Sequence, residues 1–247
     1  WYMASVAELL RRADLAMYQA KGGGKNATAL FDPEMDDDAS DRLATLSALR
    51  KALANDELVL HYQPIIDLNS GRVQAIEALM RWQHPERGLV PPADFIPLAE
   101  ETGLIVPLGA WVLGEACAQA RRWQDDEGRP IPVSVNVSAR QLLDPDLEGA
   151  VERALTDSAL RPESLILEVT ETAVMQNSET AIAKLHRISG MGVQVALDDF
   201  GEGYSSLAYL RRMPVDILKI ARPFVQDLQN AAGDPAIPRA YTNQALQ

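Results

Sequence analysis

The chain has 247 residues, 47% of them apolar and 23% charged, enough for one large domain or two small ones. Its formal net charge of −12 argues against a general surface for nucleic-acid polymers, which needs a basic footprint. No stretch approaches the roughly 18 consecutive apolar residues of a membrane span, and the N-terminus shows no signal-peptide pattern.

Residues 5 to 21 read as an amphipathic helix, with Val6, Leu9, Leu10, Ala13 and Met17 at helical spacing and Gly22-Gly23-Gly24 as the stop. A short strand-like piece, 27–31, follows. Residues 32–41 are acidic and rich in turn formers, and they read as a solvated linker because like charges in a row repel and stay hydrated. A helix is expected over 42–54. Strand-like and helix-like segments then alternate: strands at 58–63, 73–81, 132–137, 165–170, 193–199 and 215–220, and helices at 93–101, 107–126, 146–158, 177–190 and 204–212. Such alternation predicts a parallel sheet with helices outside. Only the turn Asn69-Ser70-Gly71 separates the first two strands, which suits an antiparallel hairpin and not a crossover. The single Cys117 excludes an intrachain disulfide and a cysteine zinc cluster. It lies in an Ala-rich helical pattern and reads as a buried thiol in a protein of the reducing cytoplasm.

The strand ends carry the chemistry. Glu77 lies in the second strand, Asn136 in the third and Glu168 in the fourth; Asp198-Asp199 close the fifth, and Lys219 lies in the sixth. Two adjacent acids at the end of a buried strand repel each other and lose hydration, and a divalent metal is the obvious compensation. Taken singly, each residue has an ordinary explanation: a strand-end acid or Asn commonly caps the next helix, and a terminal Lys is commonly solvated. Together they match a β/α barrel, whose functional residues converge from the C-terminal ends of several strands. Carboxylate and amide oxygens suit Mg²⁺ or Mn²⁺, and Lys219 offers a positive group to steady a phosphate or a nucleophilic water. His61, His84 and His186 follow no metal-ligand spacing; His61 reads as a strand residue near the mouth.

At this point the chain resembles a known family. The segments are Tyr62-Gln63-Pro64, Glu77-Ala78-Leu79-Met80-Arg81-Trp82, Pro92 through Gly103, Val135-Asn136-Val137-Ser138, Glu168-Val169-Thr170-Glu171, Asp198 through Leu207, and Leu218-Lys219-Ile220. In this order they resemble the EAL domain of cyclic di-GMP phosphodiesterases. The N-terminal segment, Ala13 through Lys21 with Gly24-Lys25-Asn26, resembles the end of a GGDEF domain, without that domain's signature loop. The expected organisation is therefore a GGDEF-like remnant at 1–31, a linker at 32–41 and an EAL-like domain at 42–247. The expected fold is a TIM-like (β/α) barrel with an antiparallel first strand.

The resemblance implies hydrolysis of cyclic di-GMP to linear pGpG in bacterial signalling, either in the cytoplasm or on the cytoplasmic part of a membrane-anchored protein. It implies two Mg²⁺ or Mn²⁺ ions, one held by Glu77, Asn136, Glu168 and Asp198, the second by Asp198 and Asp199. Lys219 and Glu77 are the implied catalytic residues, with Lys219 bonded to the nucleophile. Gln63, Leu79 and Arg81 are the implied substrate contacts, and a homodimer coupled to the loop after Asp199 is the implied assembly.

Three departures are visible. Ala221 stands where the family commonly has Asp, leaving Lys219 without an expected neighbour. Glu202 stands where Thr is more usual, either as a solvated loop residue or as a perturbation of the metals. The family pattern of a seventh and an eighth strand is not met before Gln247, and Pro235 and Pro238 interrupt the helix faintly suggested at 234–241. A truncated chain, strands exchanged with a second copy, and a degenerate member that binds cyclic di-GMP or a partner without turnover all remain open. A fragment too incomplete to fold alone is a further alternative.

Overall fold

The computed structural model describes residues 5–22, 28–32, 34–175, 178–201, 210–221 and 223. Helix α1 spans Val6–Gly22, as the apolar spacing predicts. Residues 28–31 are not a strand: Leu30 is 86% exposed, and among the described residues no strand pairs with this piece. The helix expected from Arg42 begins earlier, for α2 spans Glu34–Ala52 and takes in most of the acidic stretch. The sequence places acids at its N-terminal end and Arg50 and Lys51 in its last turn, the distribution that the helix dipole favours at both ends.

All six expected strands are present. They are β1 (Leu58–Ile66), β2 (Val73–His84), β4 (Val133–Val137), β5 (Leu165–Thr170), β6 (Gln194–Phe200) and β7 (Ile217–Ile220). An unforeseen β3 (Gly88–Val90) pairs antiparallel with the end of β2. The sheet runs β1-β2-β4-β5-β6-β7. As the short connection requires, β1 and β2 are antiparallel; the neighbours from β2 onward along that order are parallel. The β1–β2 turn is held by Asp67, whose Oδ1 accepts from the Ser70 amide at 2.7 Å, and by Gly71 at φ 67°.

The helices are α3 (Ile96–Thr102), α4 (Ile105–Glu127), α5 (Ala139–Leu143), α6 (Leu147–Ser158), α7 (Glu171–Met175) and α8 (Ser178–Gly190). The unforeseen α5 and α7 have five residues each, too few for an apolar period to show. Of the helix expected at 204–212, residues 204–209 lie outside the described residues, as do Gly24-Lys25-Asn26, Glu202 and the chain from 224 onward. Among the described residues, no helix is long and apolar enough to cross a membrane.

Strand alternation splits the sheet into two unlike faces. Val133, Val135 and Val137 of β4, Leu165, Leu167 and Val169 of β5, and Val195 and Leu197 of β6 pack against the helices in the largest core cluster, which also contains Cys117. The opposite face has a small apolar floor of Ala75, Ile166 and Ala196, with Ile65 and Ile217 packed against it. Glu77, Glu168, Asp198 and Lys219 each lie two residues beyond a member of that floor, toward the C-terminal strand ends and on the same face.

Candidate functional site

Parallel register places the functional groups side by side: Asn136 is opposite Glu168, and Thr170 opposite Asp198. The Asn136 amide donates to Glu77 Oε1 at 2.9 Å. Lys219 Nζ lies 2.5 Å from Glu168 Oε2, 3.4 Å from Glu77 Oε2 and 3.5 Å from Asp198 Oδ2. Acids from three strands, separated from Lys219 in sequence by as much as 142 positions, thus meet around its ammonium, and Asn136 from a further strand joins them through Glu77. Lys219 is not a free strand end, even though Ala221 (1% exposed) offers it no carboxylate.

The Asp198-Asp199 pair is shaped by a β-bulge. Leu197 pairs with Leu218, but Phe200 pairs with Ile220, so β6 carries one residue more than β7 across this interval. Asp199 absorbs the extra residue in the left-handed conformation, φ 52°. Simple alternation would place Phe200 on the barrel side with Asp198; the bulge returns it to the helix-facing core. Immediately afterwards Gly201 (φ 105°) donates its N–H to Glu171 Oε2 at 3.2 Å. Glu171 is 2% exposed, and its Oε1 has no hydrogen-bond partner among the described residues. The sequence displayed Glu171 beside Glu168 but gave it no role; its place at the start of α7, beneath the bulge, supplies one.

Burial pushes the Glu168 carboxyl above its ordinary range, with the Lys219 hydrogen bond and charge opposing. Burial also raises Asp199, and the charge of Asp198 adds to it. Burial pulls Lys219 down, but the hydrogen bond and charge of Glu168, followed by the charges of Asp198 and Glu77, overcome it, so Lys219 ends above its usual value and stays charged.

Beside the acids, β1 and β2 form one wall. Gln63 is directly opposite Glu77, His61 opposite Leu79 and Val59 opposite Arg81, so Gln63, Leu79 and Arg81 share the face of Glu77. Arg81 Nη1 donates to the neighbouring Met80 carbonyl at 2.8 Å, and among the described residues it has no ion pair. His61 is exposed on the same wall. The other two histidines are structural. His84 Nδ1 accepts from the Glu86 and Arg87 amides in the β2–β3 turn, and His186 Nε2 bonds the Arg212 carbonyl at 2.8 Å.

Among the described residues, no three His, Cys, Asp or Glu side chains close on a common metal-ligating point. The carboxylates instead surround the Lys219 ammonium. Their shared demand for a cation, and a donor set made of oxygens alone, fit a hard divalent ion and not a thiolate-seeking one.

Carboxylates, an amide and one lysine converge at the strand ends, where a β/α barrel places its functional residues. The chain belongs to the EAL domain family, which it matches over residues 46–247. It is 46% identical over 233 residues to the bifunctional diguanylate cyclase/cyclic di-GMP phosphodiesterase MucR of Pseudomonas aeruginosa, covering 94% of this chain and 34% of that protein. It is 45% identical over 232 residues to the cyclic di-GMP phosphodiesterase PdeR of Escherichia coli, covering 94% and 35%. The chain thus spans about a third of the length of these relatives. Among solved structures, the PaMucR phosphodiesterase in complex with c-di-GMP superposes with a TM-score of 0.77 at 45% identity, over 81% of each chain. The EAL enzyme Bd1971 with cAMP and cyclic di-GMP bound superposes with a TM-score of 0.78 at 29% identity, over 99% of this chain and 64% of that one.

Proposed function

We propose that this chain hydrolyses one phosphodiester bond of cyclic di-GMP to give linear pGpG. The observation that carries this reading is the convergence of Glu77, Asn136, Glu168, Asp198 and Lys219 from five strands on one mouth. The substrate comes from the relatives: two of them are named for this activity, and the similar solved phosphodiesterase holds c-di-GMP.

In this reading Glu77, Asn136, Glu168 and Asp198, joined by Asp199, hold Mg²⁺ or Mn²⁺, with two ions expected. Bound there, the ions supply positive charge for the phosphate and lower the pKa of the attacking water. Asn136 fixes one oxygen of Glu77 and leaves the other toward Lys219. Lys219, kept charged by its carboxylates, donates hydrogen bonds to the incoming water and holds it in line with phosphorus. Water adds its oxygen to phosphorus and releases one proton to solvent, the bond to the ribose 3′ oxygen breaks, and the leaving oxygen takes up one proton from solvent, so one water is consumed per bond cleaved. Arg81 offers a planar fork to a phosphate, Gln63 offers an amide, and Leu79 lends an apolar surface beside them. Glu171, through Gly201, keeps the bulge that presents Asp199.

The same reading places the chain in the cytoplasm, with its nucleotide, and as a homodimer, which sedimentation at micromolar concentration tests. The main experiment is turnover and binding of cyclic di-GMP on one sample, with and without Mg²⁺ or Mn²⁺. The expected result is metal-dependent release of pGpG that ends with Glu77→Ala. Binding without turnover would overturn the enzyme and leave a receptor, the outcome that Ala221 favours.

A further inference from the structure

Helix α5 follows the strand that carries Asn136, and two of its side chains lock into glycine notches on the α3–α4 segment. Gln141 is 4% exposed. Its Oε1 accepts from the Ser138 amide at 3.1 Å, while Ser138 Oγ accepts from the Gln141 amide at 3.3 Å, a reciprocal capping box. The Gln141 amide lies against Gly109 of α4, where a Cβ would come within 1.9 Å of its Nε2. Next to it, Arg140 Nη1 donates to the Glu100 and Glu101 carbonyls at the end of α3, at 3.0 and 3.1 Å. Gly103, at φ 85°, caps α3, and a Cβ there would lie 3.0 Å from Arg140 Nη2.

Gly109 is otherwise hard to explain. It sits inside α4, where glycine is less favourable than alanine and no positive φ calls for it. What the missing side chain provides is room for Gln141. Only Val137 separates the box at Ser138 from Asn136, whose amide reaches Glu77. We infer that Gln141, seated in the Gly109 notch, is a positioning residue for Asn136. The clasp of α5 onto α3–α4 fixes the end of β4 and with it the Asn136–Glu77 hydrogen bond. Without it, the Ser138 amide loses the Gln141 side-chain acceptor, the turn at 137–138 loosens, and the Asn136 amide spreads over several rotamers.

The inference rests on the proposed metal role of Asn136, so the test has one arm with metal and one without. On the full chain, Mn²⁺ binding is measured by calorimetry for the parent, Gly109→Ala, Gln141→Ala and Gln141→Glu, with Asn136→Ala as reference. Gly109→Ala and Gln141→Ala should weaken Mn²⁺ binding about 10- to 100-fold, the range for partners that orient a ligand. Gln141→Glu keeps an acceptor for the Ser138 amide and should restore much of the affinity. A purely structural clasp would move the melting temperature and leave Mn²⁺ affinity unchanged; unchanged affinity in Gly109→Ala overturns the inference. Should Gly109→Ala not fold, Ser138→Ala removes one cap acceptor with little change in volume, and the same comparison decides. In the metal-free protein, the Asn136 side-chain amide should give one dispersed pair of ¹H–¹⁵N resonances in the parent and a shifted, averaged pair in Gly109→Ala; identical pairs overturn the clasp. A parent that binds no Mn²⁺ overturns the metal reading instead, and these amide resonances still decide the clasp.

Discussion

Along β5, Leu165, Leu167 and Val169 enter the helix-facing core, while Ile166 and Glu168 enter the barrel. Neighbours in sequence thus serve different ends: one face is Leu- and Val-rich and buries apolar area, and the other gathers charge above a thin apolar floor. Stability and chemistry are separated by one residue step, and substitutions on the two faces should fail in different ways.

The largest expected effect belongs to Glu77→Ala, which removes the group bonded by both Asn136 and Lys219. Turnover should fall by more than about 1,000-fold, with the melting temperature little changed because the helix-facing core is untouched. Lys219→Ala should cost about 100- to 1,000-fold in kcat. It also leaves the buried Glu168 without its nearest cation, so a lowered melting temperature should accompany the loss. Equal melting temperatures for parent and Lys219→Ala would break that account.

Leu167→Ala, one position from Glu168, should instead lower unfolding free energy by about 2–5 kcal/mol, read from urea unfolding, while the metal concentration for half-maximal activity stays put. A shift in that concentration would erase the separation of the two faces.

At the bulge, Asp199→Asn keeps a residue that tolerates the left-handed conformation and should change stability by no more than about 0.5 kcal/mol. Asp199→Val should cost about 1–2 kcal/mol, because a branched side chain resists φ 52°. Both should weaken metal activation, so stability separates strain from charge. The smallest expected effect is the absence of one. Burial pushes the Cys117 thiol up to about 12, above its ordinary 9.0. A raised pKa means less thiolate at any given pH, so at pH 8 the native protein should not label with a thiol reagent while the urea-unfolded chain labels fully.

Much of this was legible in the sequence. Apolar alternation located β4, β5 and β6, the Asn69-Ser70-Gly71 turn gave the hairpin, and the strand-end acids named the mouth. The pattern Ser138-x-x-Gln141 was also present as a capping-box signal and could have announced α5, which is too short for periodicity to reveal. The early start of α2 at Glu34 was not legible, because side-chain repulsion alone does not include the helix dipole that favours acids at a helix N-terminus. Glu171 could not be assigned, since its partner is a backbone amide 30 residues away.

The sequence by itself determined which residues could face each side of the sheet, because side-chain direction alternates with period two along any strand. It also determined the chemistry of the oxygen donors and the single lysine. Tertiary structure alone decided that these donors meet. Register between strands far apart in sequence set Asn136 beside Glu168 and brought Lys219 within reach of three acids. The one-residue bulge at Asp199 broke the alternation that the sequence predicts, because pairing between β6 and β7 resumes one residue out of step. Distances between strands are fixed by packing and hydrogen-bond register, and neither is written in any one stretch of chain.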